Sequence, residues 1–206
     1  MEEILETHSQ HFTHLWEGFM GSKQTPSLSE VEQLLCRCSA FIYLGMERFM
    51  ANIPPAKLAA LNLSECHMAL LFDLVQNSAS VLRQSNLDIH KSAGQFDLEK
   101  PLETALLFSM GGVGCIVLNQ WHSSLQQNTH IMANVLDNIL RVRQTSGQTI
   151  HALRRGDSSE KSHHMVIGSY GTVYPTSYHI CISIYCKYHV SFLIASKTPI
   201  HLFLCM

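Results

Sequence analysis

Apolar runs of two kinds alternate along this chain. Phe41-Ile42-Tyr43-Leu44 is continuous and runs straight into Gly45. That is the form of a parallel strand buried on both faces, ending at the open edge of an α/β sheet. His67 to Leu74 and Val113 to Leu118 read as two further strands of this kind, and Leu15 to Met20 as a short one. Between them the spacing becomes helical. Pro26-Ser27-Leu28-Ser29-Glu30 is a helix start, after which Leu28, Val31 and Leu35 share one face. Leu98, Leu102, Ala105, Leu106 and Ser109 form a second stripe, stopped by Gly111-Gly112, and Met132, Val135, Leu136 and Ile139 form a third. Pro54-Pro55 breaks the chain ahead of a helical turn at Ala56 to Leu61, and Gln76 to Gln95 is polar enough for a surface excursion.

Strands separated by helices of this length need crossover connections, which are right-handed and build a parallel sheet covered on both faces. The expected fold class is therefore α/β: three layers, a mostly parallel sheet flanked by helices, with Leu106, Val117, Leu118 and Leu136 in the core. This domain is expected over residues 1–160. Residues 161–206 read differently. From Ser162 onward acidic residues vanish and only Lys187 and Lys197 carry fixed charge. A segment without a solvated face to balance its Tyr, Ile and Phe is expected to be an irregular, loosely packed or disordered tail. It reads as an alternative or read-through C-terminus. The rival is a weak membrane segment over Ile180 to Ala195, against which Lys187, His179 and His189 count.

Composition narrows the classes. Of 206 residues 46% are apolar, enough for one domain with a core, while only 15% are charged against roughly 25% in an average soluble domain. The shortage points to faces that expect a partner. A net charge of −2 gives no footprint for nucleic acid. Seven cysteines without framework spacing, behind an acidic amphipathic start, fit a reducing intracellular compartment. No segment before residue 162 approaches the ~20 apolar residues of a membrane span, and no membrane partner is expected.

The candidate chemistry is sparse. Cys66-His67 offers a nucleophile beside a base, but adjacent strand residues point to opposite faces, so a partner such as His122 would have to come from elsewhere. Cys36-x-Cys38 is too tight for a zinc knuckle and reads as structural. His163-His164 and Cys181 with Cys186 fall in the anomalous tail, and His8, His11 and His14, three apart, read as solvated surface. Gly111-Gly112-Val113-Gly114 follows a helix and precedes a strand, the reverse of a phosphate loop, and so reads as a tight turn. Trp16 and Trp121 read as core or interface anchors.

These segments, in this order, resemble the CHAT domains, relatives of the caspases and separases among clan-CD cysteine peptidases. There the first strand ends in Gly-His-Gly; here the triplet is Gly45-Met46-Glu47. Leu61 to Leu74 resembles the next strand, which in that family ends at the nucleophilic cysteine. Glu103 to Trp121 resembles its helix-glycine-strand element, and Met132 to Leu140 with Thr149 to Arg155 its closing helices. The resemblance covers residues 1–155 and implies a partial caspase-like fold whose first strands lie upstream. It places Met46 where the base would be and Leu74, or Asp73 if the register slips by one, where the nucleophile would be. A thioether and an alkyl group can neither take a proton nor attack a carbonyl. The resemblance thus implies a pseudopeptidase with no catalytic, metal or cofactor residues and no small-molecule substrate. The wording of Phe41 to Phe49, Pro54 to Asp73 and Leu98 to Ser123 is most similar to the CHAT-like region of large, tetratricopeptide-repeat cilia- and flagella-associated proteins, as a truncated or alternative isoform. That implies an interaction module in the cytoskeleton of the cilium axoneme, contributing to central-apparatus assembly and motility, with other central-apparatus proteins as partners. The alternative is a divergent cysteine peptidase using Cys66 with His67 or His122, or a nonfunctional truncated isoform.

Overall fold

The computed structural model of the chain describes residues 2–8, 16–20, 26–119, 122–156, 166–167, 179–183 and 192–196. Its centre is a parallel sheet of three strands: β2 (Ala40–Leu44), β3 (Met68–Phe72) and β4 (Cys115–Leu118), in register Ala40 to Met68 to Cys115. All but their first residues are buried in β2 and β3, and β4 is buried throughout. These are the strands expected from the apolar runs: β2 adds Ala40 ahead of its run, β3 is shorter at both ends and β4 at its start.

Alternation along the strands divides the core in two. Phe41, Tyr43, Ala69, Leu71, Ile116 and Leu118 face one layer, and Ile42, Leu44, Leu70, Phe72, Cys115 and Val117 the other. The first layer holds α2 (Leu28–Arg37), a 3₁₀ turn (Phe49–Ala51), α3 (Pro55–Ala59) and α6 (Pro101–Gly111); the second holds α7 (Leu125–Leu136), which runs into a π-helical turn (Asp137–Arg141), and α8 (Ser146–Gly156). α1 (Glu2–His8) adds Ile4 to the second layer. The capping signal at Ser27 is used in full. Its side chain accepts the Glu30 N–H while the Glu30 carboxylate accepts the Ser27 N–H at 2.7 Å, a reciprocal cap that fixes where α2 starts. The polar stretch from Gln76 forms α4 (Ser78–Asp88) and α5 (Ala93–Leu98), both largely exposed.

The stripe expected for α6 holds at Ala105, which is buried, and fails at its leucines. Leu106 is 47% exposed, Leu102 53% and Leu98 45%, while Thr104, Ala105 and Phe108 face the sheet. Apolar residues surround this helix, so periodicity does not select a face. Packing does: Phe108 tilts against Phe49 at 5.6 Å between ring centroids, and a side chain on Gly111 would meet Leu63 at 2.9 Å. Val117, Leu118 and Leu136 are buried as expected. Gly112 ends α6 at φ 108°, and a Cβ there would lie 3.1 Å from the Ser64 backbone, so the glycine run is a tight turn, as expected.

Three pieces of the tail take strand positions, where an irregular segment was expected. β5 (Val166–Ile167) pairs with β6 (His179–Ser183), which lies parallel to β4; β7 (Phe192–Ser196) lies antiparallel between β2 and β1 (Trp16–Met20). The sheet order is β1-β7-β2-β3-β4-β6-β5. The reason is local: Ile180, Ile182, Phe192 and Ile194 are strand formers paired with the edges of β4 and β2, and missing carboxylates do not hinder a ladder made by the backbone.

Candidate functional site at the carboxyl edge of the sheet

Parallel strands deliver their ends, and the residues just past those ends, to one edge. The Gly45 N–H donates to the Phe72 carbonyl at 3.0 Å, extending the β2–β3 ladder by one bond; Met46 comes two residues after β2 and Leu74 two residues after β3. Both are buried, 1% and 7% exposed. The positions that the family resemblance marks for base (Met46) and nucleophile (Leu74, or Asp73 one residue earlier) thus both follow the carboxyl ends of neighbouring strands.

Leu74 has φ 57°, a left-handed conformation that costs a residue with a Cβ roughly 1–2 kcal/mol. A buried polar cluster holds it there. Asn119 Nδ2 donates to the Asp73 carbonyl at 2.7 Å and to Asn128 Oδ1 at 3.0 Å; Ser123 Oγ donates to Asn128 Oδ1 at 3.1 Å; the Ser123 N–H donates to the Leu74 carbonyl at 2.9 Å. Asn119 and Asn128 are fully buried. The sequence signal was present but unread: Asp73 and Asn119 each end an apolar strand with a polar side chain.

Beside this cluster, Asp73 Oδ2 accepts the Phe49 N–H at 2.9 Å and caps the 3₁₀ turn. Burial pushes the Asp73 carboxyl up to about 7, against the pull of the Phe49 N–H, its own N–H and the Arg48 charge. Tyr43, enclosed with Glu47 and Asp73 nearby, is driven well above its ordinary range by burial first, and its hydroxyl donates to the Glu47 carbonyl at 3.2 Å. Arg48 is fully engaged. It donates to Glu99 at 2.8 Å, Asp88 at 2.6 Å and Gln84 at 3.2 Å, and lies 5.5 Å over the Phe96 ring. Lys91 adds a 2.6 Å bridge to Glu99. These cations are committed to carboxylates that hold α4 and α5 against the loop after β2.

Cys66 lies at the other end of β3. Its thiol is fully buried and raised well above its ordinary value, by a hydrogen bond with Cys38 and then by burial, the reverse of an activated nucleophile. His67 is exposed. His122 adjoins Ser123, which bonds Leu74, and its imidazole is lowered by partial burial and by Arg48. At ~3.3 Å per residue, the eight positions between Cys66 and Leu74 separate Cys66 from that edge by roughly 25 Å. The structure therefore brings Cys66 together with Cys38, and not with His122. Of the histidine triplet expected at the surface, His8 is buried, and His11 and His14 lie outside the described residues. So do Trp121, His163, His164 and Cys186, while Cys181 sits on β6. Among the described residues no group of three or more His, Cys, Asp or Glu is placed to hold a metal ion, and no helix is long and apolar enough to cross a membrane.

No family model and no solved structure matches the chain. Over 81 residues, 39% of its length, it is 38% identical to the cilia- and flagella-associated protein 46 of Chlamydomonas reinhardtii, of which it spans 3%. The chain is related, over that stretch, to a protein of cilia and flagella many times its length.

Proposed function

We propose that this chain is a non-catalytic interaction module of a ciliary protein, a CHAT-like pseudopeptidase acting in assembly of the axonemal central apparatus and in motility. The observation that carries the ciliary reading is its 38% identity over 81 residues to a cilia- and flagella-associated protein. The pseudoenzyme reading is supported by the buried, proton-inert Met46 and Leu74 just past the carboxyl ends of neighbouring strands, while the buried Cys66 lies at the opposite edge. What remains at the carboxyl edge is scaffolding: polar groups that hold backbone, and charges that hold helices. Its partners are other central-apparatus proteins, and it takes no nucleic acid and no small-molecule substrate.

The test is a tagged copy in motile ciliated cells, with fluorescence expected along the axoneme after detergent extraction. Complete loss of signal from demembranated axonemes would reject the ciliary module. Stoichiometric labelling of Cys66 by an electrophilic peptide, abolished by changing His67 or His122, would instead establish a peptidase.

A further inference from the structure

We propose that Cys38 and Cys66 form an intramolecular disulfide site, closed by a small uncharged peroxide and stapling the end of α2 to the start of β3. Cys38 caps α2 with extended backbone, φ −91° and ψ 149°. The His67 N–H donates to the Ser39 carbonyl at 2.8 Å, and the next rung pairs Ala40 with Met68. The Met68 N–H reaches the same Ser39 carbonyl at 3.3 Å, so Cys38 and Cys66 precede adjoining segments. Adjoining strands run about 4.8 Å apart, within the ~4.4–6.8 Å between Cα atoms that a disulfide spans. Both side chains lie in one core layer, 1% and 0% exposed, and Cys38 is the first cause that raises the Cys66 thiol. The Cys38 Sγ donates to the Leu35 carbonyl at 3.7 Å and the Cys66 Sγ to the Met68 carbonyl at 3.4 Å.

The chemistry balances with hydrogen peroxide as oxidant. One sulfur attacks a peroxide oxygen; the S–O bond forms, the O–O bond breaks and water leaves, giving a sulfenic acid. The second sulfur then attacks the first, the S–S bond forms, the S–O bond breaks, and the departing hydroxide takes the remaining thiol proton as water. Two thiols lose two hydrogens and one peroxide becomes two waters. Burial keeps the thiolate scarce, so closure is slower than oxidation of an exposed cysteine, and it keeps bulky or charged reagents out. Cys36, partly exposed and only two residues away, is the internal control.

The full-length protein is treated with hydrogen peroxide in the folded state, then denatured, alkylated and mapped by mass spectrometry. The expected product is a Cys38–Cys66 crosslinked peptide two hydrogens lighter than its parts. Cys36→Ser should leave it in place and Cys66→Ala should remove it, and unfolding in urea before oxidation should scramble it. The oxidised protein should melt at a higher temperature than the reduced one, reversibly with dithiothreitol. Recovery of Cys38 and Cys66 as separately alkylated or sulfinic species, with Cys36 oxidised, would overturn the proposal without recourse to any variant.

Discussion

Asp73 makes stability depend on pH with an unusual sign. An ordinary paired carboxylate has a depressed pKa and strengthens a fold as pH rises; this one is held at about 7 against an ordinary 3.8, chiefly because it is buried. Between those values the folded chain keeps a proton that the unfolded chain gives up. Stability from this group is therefore full below about pH 4, falls as pH climbs, and is gone above about pH 7. The shift of roughly three units corresponds to about 4 kcal/mol as an upper limit, and water reaching the half-buried residue reduces it. The groups facing the carboxyl are the Phe49 N–H, Arg48 and Tyr43. Asp73→Asn is the informative change, because the amide oxygen can still accept the Phe49 N–H and carries no proton to lose. Urea denaturation of both proteins from pH 4.5 to 8.5 isolates this residue from every other titrating group. The variant should gain on the wild type as pH rises, by roughly 2–4 kcal/mol at the alkaline end. A difference that is flat with pH, or a wild type that gains on the variant, would refute the assignment.

Other expectations come from packing and pairing. Phe108→Ala removes a fully buried ring that packs against Phe49 and should cost about 3–5 kcal/mol, whereas Leu106→Ala, on the exposed side of the same helix, should stay within about 0.5 kcal/mol by thermal or urea denaturation. Arg48→Met leaves the buried Glu99 and Asp88 sharing Lys91 alone and should cost about 3–5 kcal/mol in the same assay. Asn119→Ala removes the shorter donor to the Asp73 carbonyl, leaving Asn128 Nδ2 at 3.4 Å, and one of two donors to Asn128 Oδ1, and should cost about 1–3 kcal/mol. Deleting residues 162–206 removes the strand paired with β2, so hydrogen exchange at the amides of Phe41 to Leu44 should accelerate, and unchanged protection there would contradict the β2–β7 pairing.

The layers were legible because strand and helix spacings differ and because β2, β3 and β4 are apolar throughout. Leu106 was misassigned because α6 carries Leu102, Leu106, Leu107, Phe108 and Met110 around its whole circumference, and only the neighbours decide which of them meet the sheet. β6 and β7 are not legible from charge, which says nothing of short runs such as His179 to Ser183 and Phe192 to Ser196 whose ladders are made by the backbone. At the site, the inert occupants of positions 46 and 74 could be read directly. The polar cluster under Leu74 could not, since Asn119, Ser123 and Asn128 acquire their purpose from a backbone torsion at a residue far back in the chain.

The placement of β7 has a consequence in time. β1 is tied to the sheet through β7, so residues 16–20 have no other strand partner among the described residues and wait for residues 192–196. Closing so distant a pair carries the entropy of a loop that encloses nearly the whole molecule, which makes it a late event in folding. Until it happens, β2 presents a bare apolar ladder while the parallel centre is already assembled. The interval between those two events is when one copy of the chain is most exposed to another.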